Sequence, residues 1–228
     1  MGERPVPDHD NATVAAVTSL ASADAPGRVA TRRAWGKIPY EERFRRQRRD
    51  LLEAAATLGA EHGVAGTSVA SITAAAGVGK RVFYEHFADK EACFVEMFRE
   101  LGAEYLRFAL DAAAAAGNQR PADAMRAVIH ALVSFRGADP RLIAAIRAEA
   151  RPGSALAAAY DAQHRQTAKL LVTVAVQLGS PLPERTIRLA ALLLVNGVVD
   201  LAPELRQRRG ALRELATITC LALGLPLD

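Results

Sequence analysis

The sequence predicts an all-α fold, and three observations carry that prediction. Ala and Leu dominate a chain whose aromatic content is only 5%, a composition that favours helix packing over β-sandwich construction. From Glu41 onward, apolar residues recur at helical spacing rather than in alternation. Gly and Pro fall between these segments, where helices start and stop. Half of the 228 residues are apolar, enough to bury a sizeable core in one large domain or two small ones.

The elements follow in order. Residues 1–38 mix Pro, Ala, Ser, Asp and Thr without a sustained period, which predicts a disordered arm. Its end is basic, with Arg28, Arg32, Arg33 and Lys37. Two readings stay open: a solvated tail, or an arm that adds phosphate contacts or reaches a minor groove. Phe44, Leu51, Ala55 and Leu58 share one face of the first helix, and Arg43, Arg45, Arg46, Arg48 and Arg49 cover much of the rest. Gly59 weakens this helix and Gly63 ends it. Thr67 and Ser68 offer N-caps for a short helix to about Ala76. Gly77 supplies the left-handed residue of a sharp turn, and a second short helix runs from about Gly79 to Glu85. Asp89 caps a helix to about Ala116. Pro121 opens the next, ending near Arg136, and Asp139-Pro140 opens another, ending near Arg151. Ser154 caps a long helix to about Leu178, Pro183 opens one to Leu201 or Arg206, and the last spans about Ala211 to Leu223.

Charge is unevenly spread. Residues 1–27 carry one basic and four acidic groups, whereas residues 28–90 carry twelve basic and seven acidic. A local basic field attracts phosphate. The basic first helix has a short, ordinary apolar stripe, which suits a core better than a membrane surface. No apolar run approaches the ~18 residues of a membrane span, and the acidic start is wrong for a secretory signal. A cytoplasmic protein is expected. Cys93 and Cys220 stand apart, as core-filling thiols of a reducing compartment rather than a disulfide framework. Glycine-rich phosphate loops, a Gly-x-Ser-x-Gly elbow and metal-ligand spacing around His62 or His86 are missing. The expectation is therefore no enzyme, no metal and no cofactor.

The stretch from Thr67 to Phe87 reads T-S-V-A-S-I-T-A-A-A-G-V-G-K-R-V-F-Y-E-H-F. Val69, Ile72, Ala76, Val78, Phe83 and Phe87 suit one small core. Two helices joined by a Gly turn place the second across DNA, the helix-turn-helix arrangement. Lys80, Arg81, Tyr84 and His86 are left over as hydrogen-bond donors, with Lys90 just beyond. Glu85 is expected to face solvent.

These residues resemble the TetR family of bacterial transcriptional regulators. The likeness rests on Thr67-Ser68-Val69, Ile72, Ala75-Ala76-Gly77-Val78, Phe83-Tyr84-Glu85-His86-Phe87 and Asp89-Lys90-Glu91, and covers roughly Phe44 to Met97. The resemblance implies phosphate contacts from Thr67, Ser68, Tyr84, His86 and Lys90. It implies base reading by Lys80, Arg81 and Val82. Phosphate contacts fix register and base contacts specify sequence. Gly79 stands where the family often has Ser, and Thr73 where Ala is usual.

The resemblance also implies a domain order: an arm over residues 1–38, a DNA-binding domain over 39–92, and an effector-binding and dimerisation domain over 93–228. The last two helices would pair with those of a second copy through Leu189, Leu192, Leu193, Gly197, Leu215 and Ile218. Leu189, Leu192, Leu193, Val195 and Val199 make that helix apolar on several faces, which calls for partners on several faces; a purely intrachain core helix is the competing reading. Phe108, Met125, Ile129, Phe135, Ile146, Tyr160, His164 and Val172 are candidates for an effector pocket, with His130 and Asn196 as further polar groups. The function implied is a homodimeric repressor that leaves a palindromic operator when a small molecule binds. The alternative is an architectural or dimerising DNA-binding protein without an effector.

Overall fold

The computed structural model describes residues 39–116, 120–135, 137–208 and 210–227, with the backbone alone for 198–207. The arm, with Arg28, Arg32, Arg33 and Lys37, lies outside the described residues, as does the Val199 side chain. Every regular element described is a helix: α1 (Tyr40–Gly66), α2 (Val69–Ala75), α3 (Lys80–His86), α4 (Lys90–Ala116), α5 (Pro121–Ser134), α6 (Pro140–Glu149), α7 (Ala155–Gln177), α8 (Glu184–Gln207) and α9 (Ala211–Ala222).

Local chemistry sets these boundaries. Glu41 and Glu42 occupy the first turn of α1, where negative charge meets the positive end of the helix dipole. Gly63, at φ 74° and ψ 164°, interrupts α1 at the position where the sequence ended it. Ser68 and Ser71 form a capping box: the Ser68 hydroxyl accepts from the Ser71 N–H at 3.0 Å, and the Ser71 hydroxyl accepts from the Ser68 N–H at 2.9 Å. Pro121 opens α5, a place where its missing N–H costs no hydrogen bond. The Ser154 hydroxyl accepts from the Ala157 N–H at 3.0 Å to start α7.

Contacts divide the chain into two compact units. Among the described residues, the first holds 39–97 together with 137–149, and the second holds those of Phe98–Phe135 and those from Ala150 on. The boundary expected after residue 92 gave all later helices to one domain; instead α6 packs along α1 in the first unit. Gly59 marks the close approach. A Cβ at that position would lie 2.8 Å from both Leu142 Cδ1 and Phe94 Cε1, so a larger residue would force these side chains to shift. The sequence shows Gly59 as a weak point of the helix, whereas the fold uses it for close approach.

The core of the first unit includes Leu51, Ala55, Ile72, Phe83, Phe94 and Ile146, each fully buried. Cys93 is also fully buried, and burial pushes its thiol up to about 12, so it stays protonated as a small apolar filler. In the second unit α7 packs on α8, and α9 packs on α5 and α8. Met125, Val128 and Ile129 of α5, Leu171 and Ala175 of α7, Ile187 and Ala191 of α8, and Ala216 and Cys220 of α9 share its core. No described helix is long and apolar enough to cross a membrane.

Candidate nucleic-acid interface

The helix-turn-helix is built from its turn outward. Gly77 adopts φ 67°, which a side chain would strain. Its neighbour Val78 donates its N–H to the Thr73 carbonyl at 3.0 Å, closing α2. The Thr73 hydroxyl donates to the Val69 carbonyl at 2.9 Å, so this buried polar group is satisfied. Gly79 starts α3 with no side-chain cap.

Helical period then sorts the residues of α3 into two faces. Phe83 is fully buried, its ring 5.5 Å from that of Phe87, and Val82 and His86 are half-buried beside it. Lys80, Arg81, Tyr84 and Glu85 are exposed. Lys80 and Tyr84 form one strip, and Arg81 and Glu85 the next, because residues four apart lie on the same side of a helix. Arg81 projects outward, with 94% of its side chain exposed. Its Nε donates to Glu85 Oε1 at 3.3 Å. Glu85 is exposed, as expected, and its i, i+4 spacing from Arg81 is the sequence signal for this pair.

Four of the residues assigned to phosphate contact divide. Tyr84 is exposed, and Ser68 lies at the exposed start of α2 while its hydroxyl caps that helix. Thr67 is buried, and its hydroxyl donates to the Gly63 carbonyl at 2.8 Å. His86 lies on the inward face, because positions two apart point about 200° apart on a helix. Its ring sits 4.0 Å from that of Phe44, and both ring nitrogens are buried without a hydrogen-bond partner. Thr67 and His86 thus pack and bond inside the unit instead of joining the donor face of Tyr84.

Lys90, the fifth, departs from expectation most clearly. Its ammonium donates to the carbonyls of Val64 and Thr67, each at 2.8 Å, and to that of Ala65 at 3.4 Å. These carbonyls lie at the end of α1 and in the loop after it, and that of Val64 also accepts from the Thr67 N–H at 3.4 Å. All three N–H groups of the ammonium are engaged. Lys90 therefore ties α1 to the start of α4, where the sequence had it reaching outward.

The basic face of α1 is partly balanced by its own acids. Arg45 pairs with Glu41, Arg46 with Asp50 and Arg49 with Glu53, each at 3.9 Å. Exposed pairs of this kind are worth little in stability. Arg48 turns inward, 2.9 Å from Glu96 and with its guanidinium over the Phe87 ring.

Burial lowers the pKa of His86, and the nearby Arg48 charge lowers it further, while Glu85 pulls the other way. The neutral ring is the form that packs. The unfolded chain therefore binds a proton more readily than the folded one, so stability is full above pH ~6.5 and falls as pH drops toward the lowered folded value. Between pH 7.5 and pH 5.5, the native protein is expected to lose more thermal stability than His86→Phe does. Parallel losses in the two proteins would remove His86 from that account.

In the second unit the pocket candidates fall into three places. Met125, Ile129 and Val172 are buried in the common core. The Phe135 ring meets those of Phe108 and Tyr105, at 5.8 and 5.4 Å. Tyr160 lies between Phe98 and His164, at 5.9 and 4.4 Å. The His164 Nδ1 is 2.9 Å from the Tyr160 carbonyl of its own helix. Ile146 is not among them: it is fully buried in the first unit on α6. His130 and Asn196 are exposed, and Asn196 donates to the Leu192 carbonyl at 2.7 Å.

The dimer candidates also divide. Leu189 and Leu193 are 64% and 70% exposed, and Ile218 and Leu221 are 55% and 61% exposed. Gly197 is exposed on the Leu189–Leu193 strip. Leu215 is buried in the unit's own core, and Leu192 is partly buried against it.

Comparison with known proteins bears on the motif unit directly. Residues 51–97 match the model of the bacterial regulatory proteins of the tetR family. No curated protein matches the chain. Solved structures share its fold. A protein of Pseudomonas aeruginosa PAO1 assigned as a transcriptional regulator aligns with a TM-score of 0.63 at 20% identity, covering 83% of this chain and 92% of that one. NemR of E. coli, in its reduced form, gives 0.60 at 19%, covering 79% and 99%. FadR of Bacillus subtilis, solved with stearoyl-CoA, gives 0.58 at 18%, covering 77% and 97%. Residues 51–97 thus form a helix-turn-helix unit that matches the tetR family of bacterial regulatory proteins, within an all-helical fold shared with these solved structures.

Proposed function

We propose that this protein is a homodimeric repressor that reads a palindromic operator with α3 and leaves it when a small molecule binds the second unit. The carrying observation is the exposed face of α3, where Lys80, Arg81 and Tyr84 stand on a helix anchored by the buried Phe83. Arg81 and Lys80 suit the O6 and N7 acceptors of guanine in a major groove. Val82, half-buried at the edge of that face, suits a thymine methyl. Tyr84 and Ser68 suit phosphate oxygens, which set register.

Two recognition helices are needed to read two half-sites about one helical turn apart. The exposed strips Leu189–Leu193–Gly197 on α8 and Ile218–Leu221 on α9 suit a second copy of the same two helices. Exposed leucines repeated on one strip mark an association surface. Leu193→Asp is expected to give a monomer in sedimentation and to lose the joint occupancy of two half-sites. A Leu193→Asp protein that still sediments as a dimer places the interface elsewhere.

The effector part draws on the family and on one fold neighbour that holds stearoyl-CoA. The test is a binding-site selection followed by effector titration. Selection is expected to return an inverted repeat, and a metabolite panel that includes long-chain acyl thioesters is expected to contain a compound that lowers affinity for it. A panel that never changes operator affinity favours the effector-independent reading.

A further inference from the structure

We infer that Glu85 is a specificity-determining positioning residue, which orients Arg81 toward one base edge and weakens its attraction to phosphate. The inference rests on the reading of α3 as the base-reading helix. Arg81 Nε donates to Glu85 Oε1 at 3.3 Å, one helical turn away on the exposed face. A guanidinium has five N–H donors in a fixed fork. Committing Nε–H to the carboxylate leaves the terminal Nη fork for the paired acceptors of guanine. Glu85 is the more sheltered partner, with 45% of its side chain exposed against 94% for Arg81. It therefore acts as the post and Arg81 as the arm.

In free solution such an exposed pair contributes little, so it biases the side chain without locking it. Inside a groove, water is displaced and the effective dielectric falls, which strengthens the pair where orientation matters. The second consequence concerns charge. Non-specific affinity comes from cations that displace counterions from phosphates. A carboxylate beside Arg81 cancels part of that gain on every sequence, while the base hydrogen bonds are gained only at the right one. Glu85 thus widens the difference between cognate and non-cognate DNA, a repulsive contribution to specificity.

The test uses the full chain, an operator taken from selection with the native protein, and a scrambled duplex of equal composition, over a salt series. Glu85→Ala is expected to bind the scrambled duplex more tightly, with a salt slope steeper by about one. It is also expected to broaden the preference at the Arg81 base position, lowering the operator-to-scrambled ratio roughly fivefold or more. Glu85→Gln keeps an acceptor oxygen and loses the charge. It is expected to share the gain on scrambled DNA and to keep the base preference. Arg81→Ala supplies the control and relaxes preference at one position. If Arg81→Ala relaxes that position while Glu85→Ala leaves it unchanged, the positioning role is overturned and the base-reading role stands. If Arg81→Ala leaves every position unchanged, the reading beneath the inference fails.

Discussion

Lys90→Ala is expected to destabilise the helix-turn-helix unit by about 2 kcal/mol and to leave the salt dependence of DNA binding unchanged. The ammonium is half-buried and makes two hydrogen bonds of 2.8 Å to carbonyls at the end of α1 and beyond it. Hydrogen bonds to a charged group are among the stronger ones, and removing the donor leaves carbonyls short of partners. Thermal unfolding reads the loss of stability. A titration over a salt series, below the midpoint of the variant, reads the slope. A slope shallower by about one with full stability would instead show that Lys90 leaves its carbonyls to meet a phosphate.

Much of this fold is legible in the sequence because its signals are local. The capping residues Ser68 and Ser154, the turn residue Gly77 and the opening Pro121 each act within one turn of themselves. Helix α8 shows how far periodicity reaches. Ile187, Ala191 and Val195 form a buried strip, while Leu189, Leu193 and Gly197, offset by two, form an exposed one. The sequence showed apolar residues on several faces; the structure shows which face the chain itself covers.

What escaped is of two kinds. The placement of His86 follows from period alone, since a residue two after Tyr84 turns to the other side of α3. Tyr84 and His86 share donor chemistry but not a face of α3. The pairing of Glu85 with Arg81 was likewise present in the spacing. By contrast, Lys90 reaching the carbonyl of Val64, twenty-six residues earlier, leaves no local trace. Neither does the packing of α6 on α1 at Gly59, which joins segments far apart in sequence. Leu215 belongs here too: its burial depends on which helices α9 meets.

The most direct test of the central claim is operator binding by the double variant Lys80→Glu/Arg81→Glu, with its thermal midpoint measured alongside. Both positions are exposed, so the fold should tolerate the change within the small range of surface substitutions. The face of α3 that meets DNA would then repel it and lose its donors to base edges. The account predicts an unchanged midpoint and an operator affinity lower by at least about a hundredfold, as expected for the loss of base contacts worth ~1–3 kcal/mol each. A folded double variant that binds the same operator with the same affinity and salt slope would contradict it.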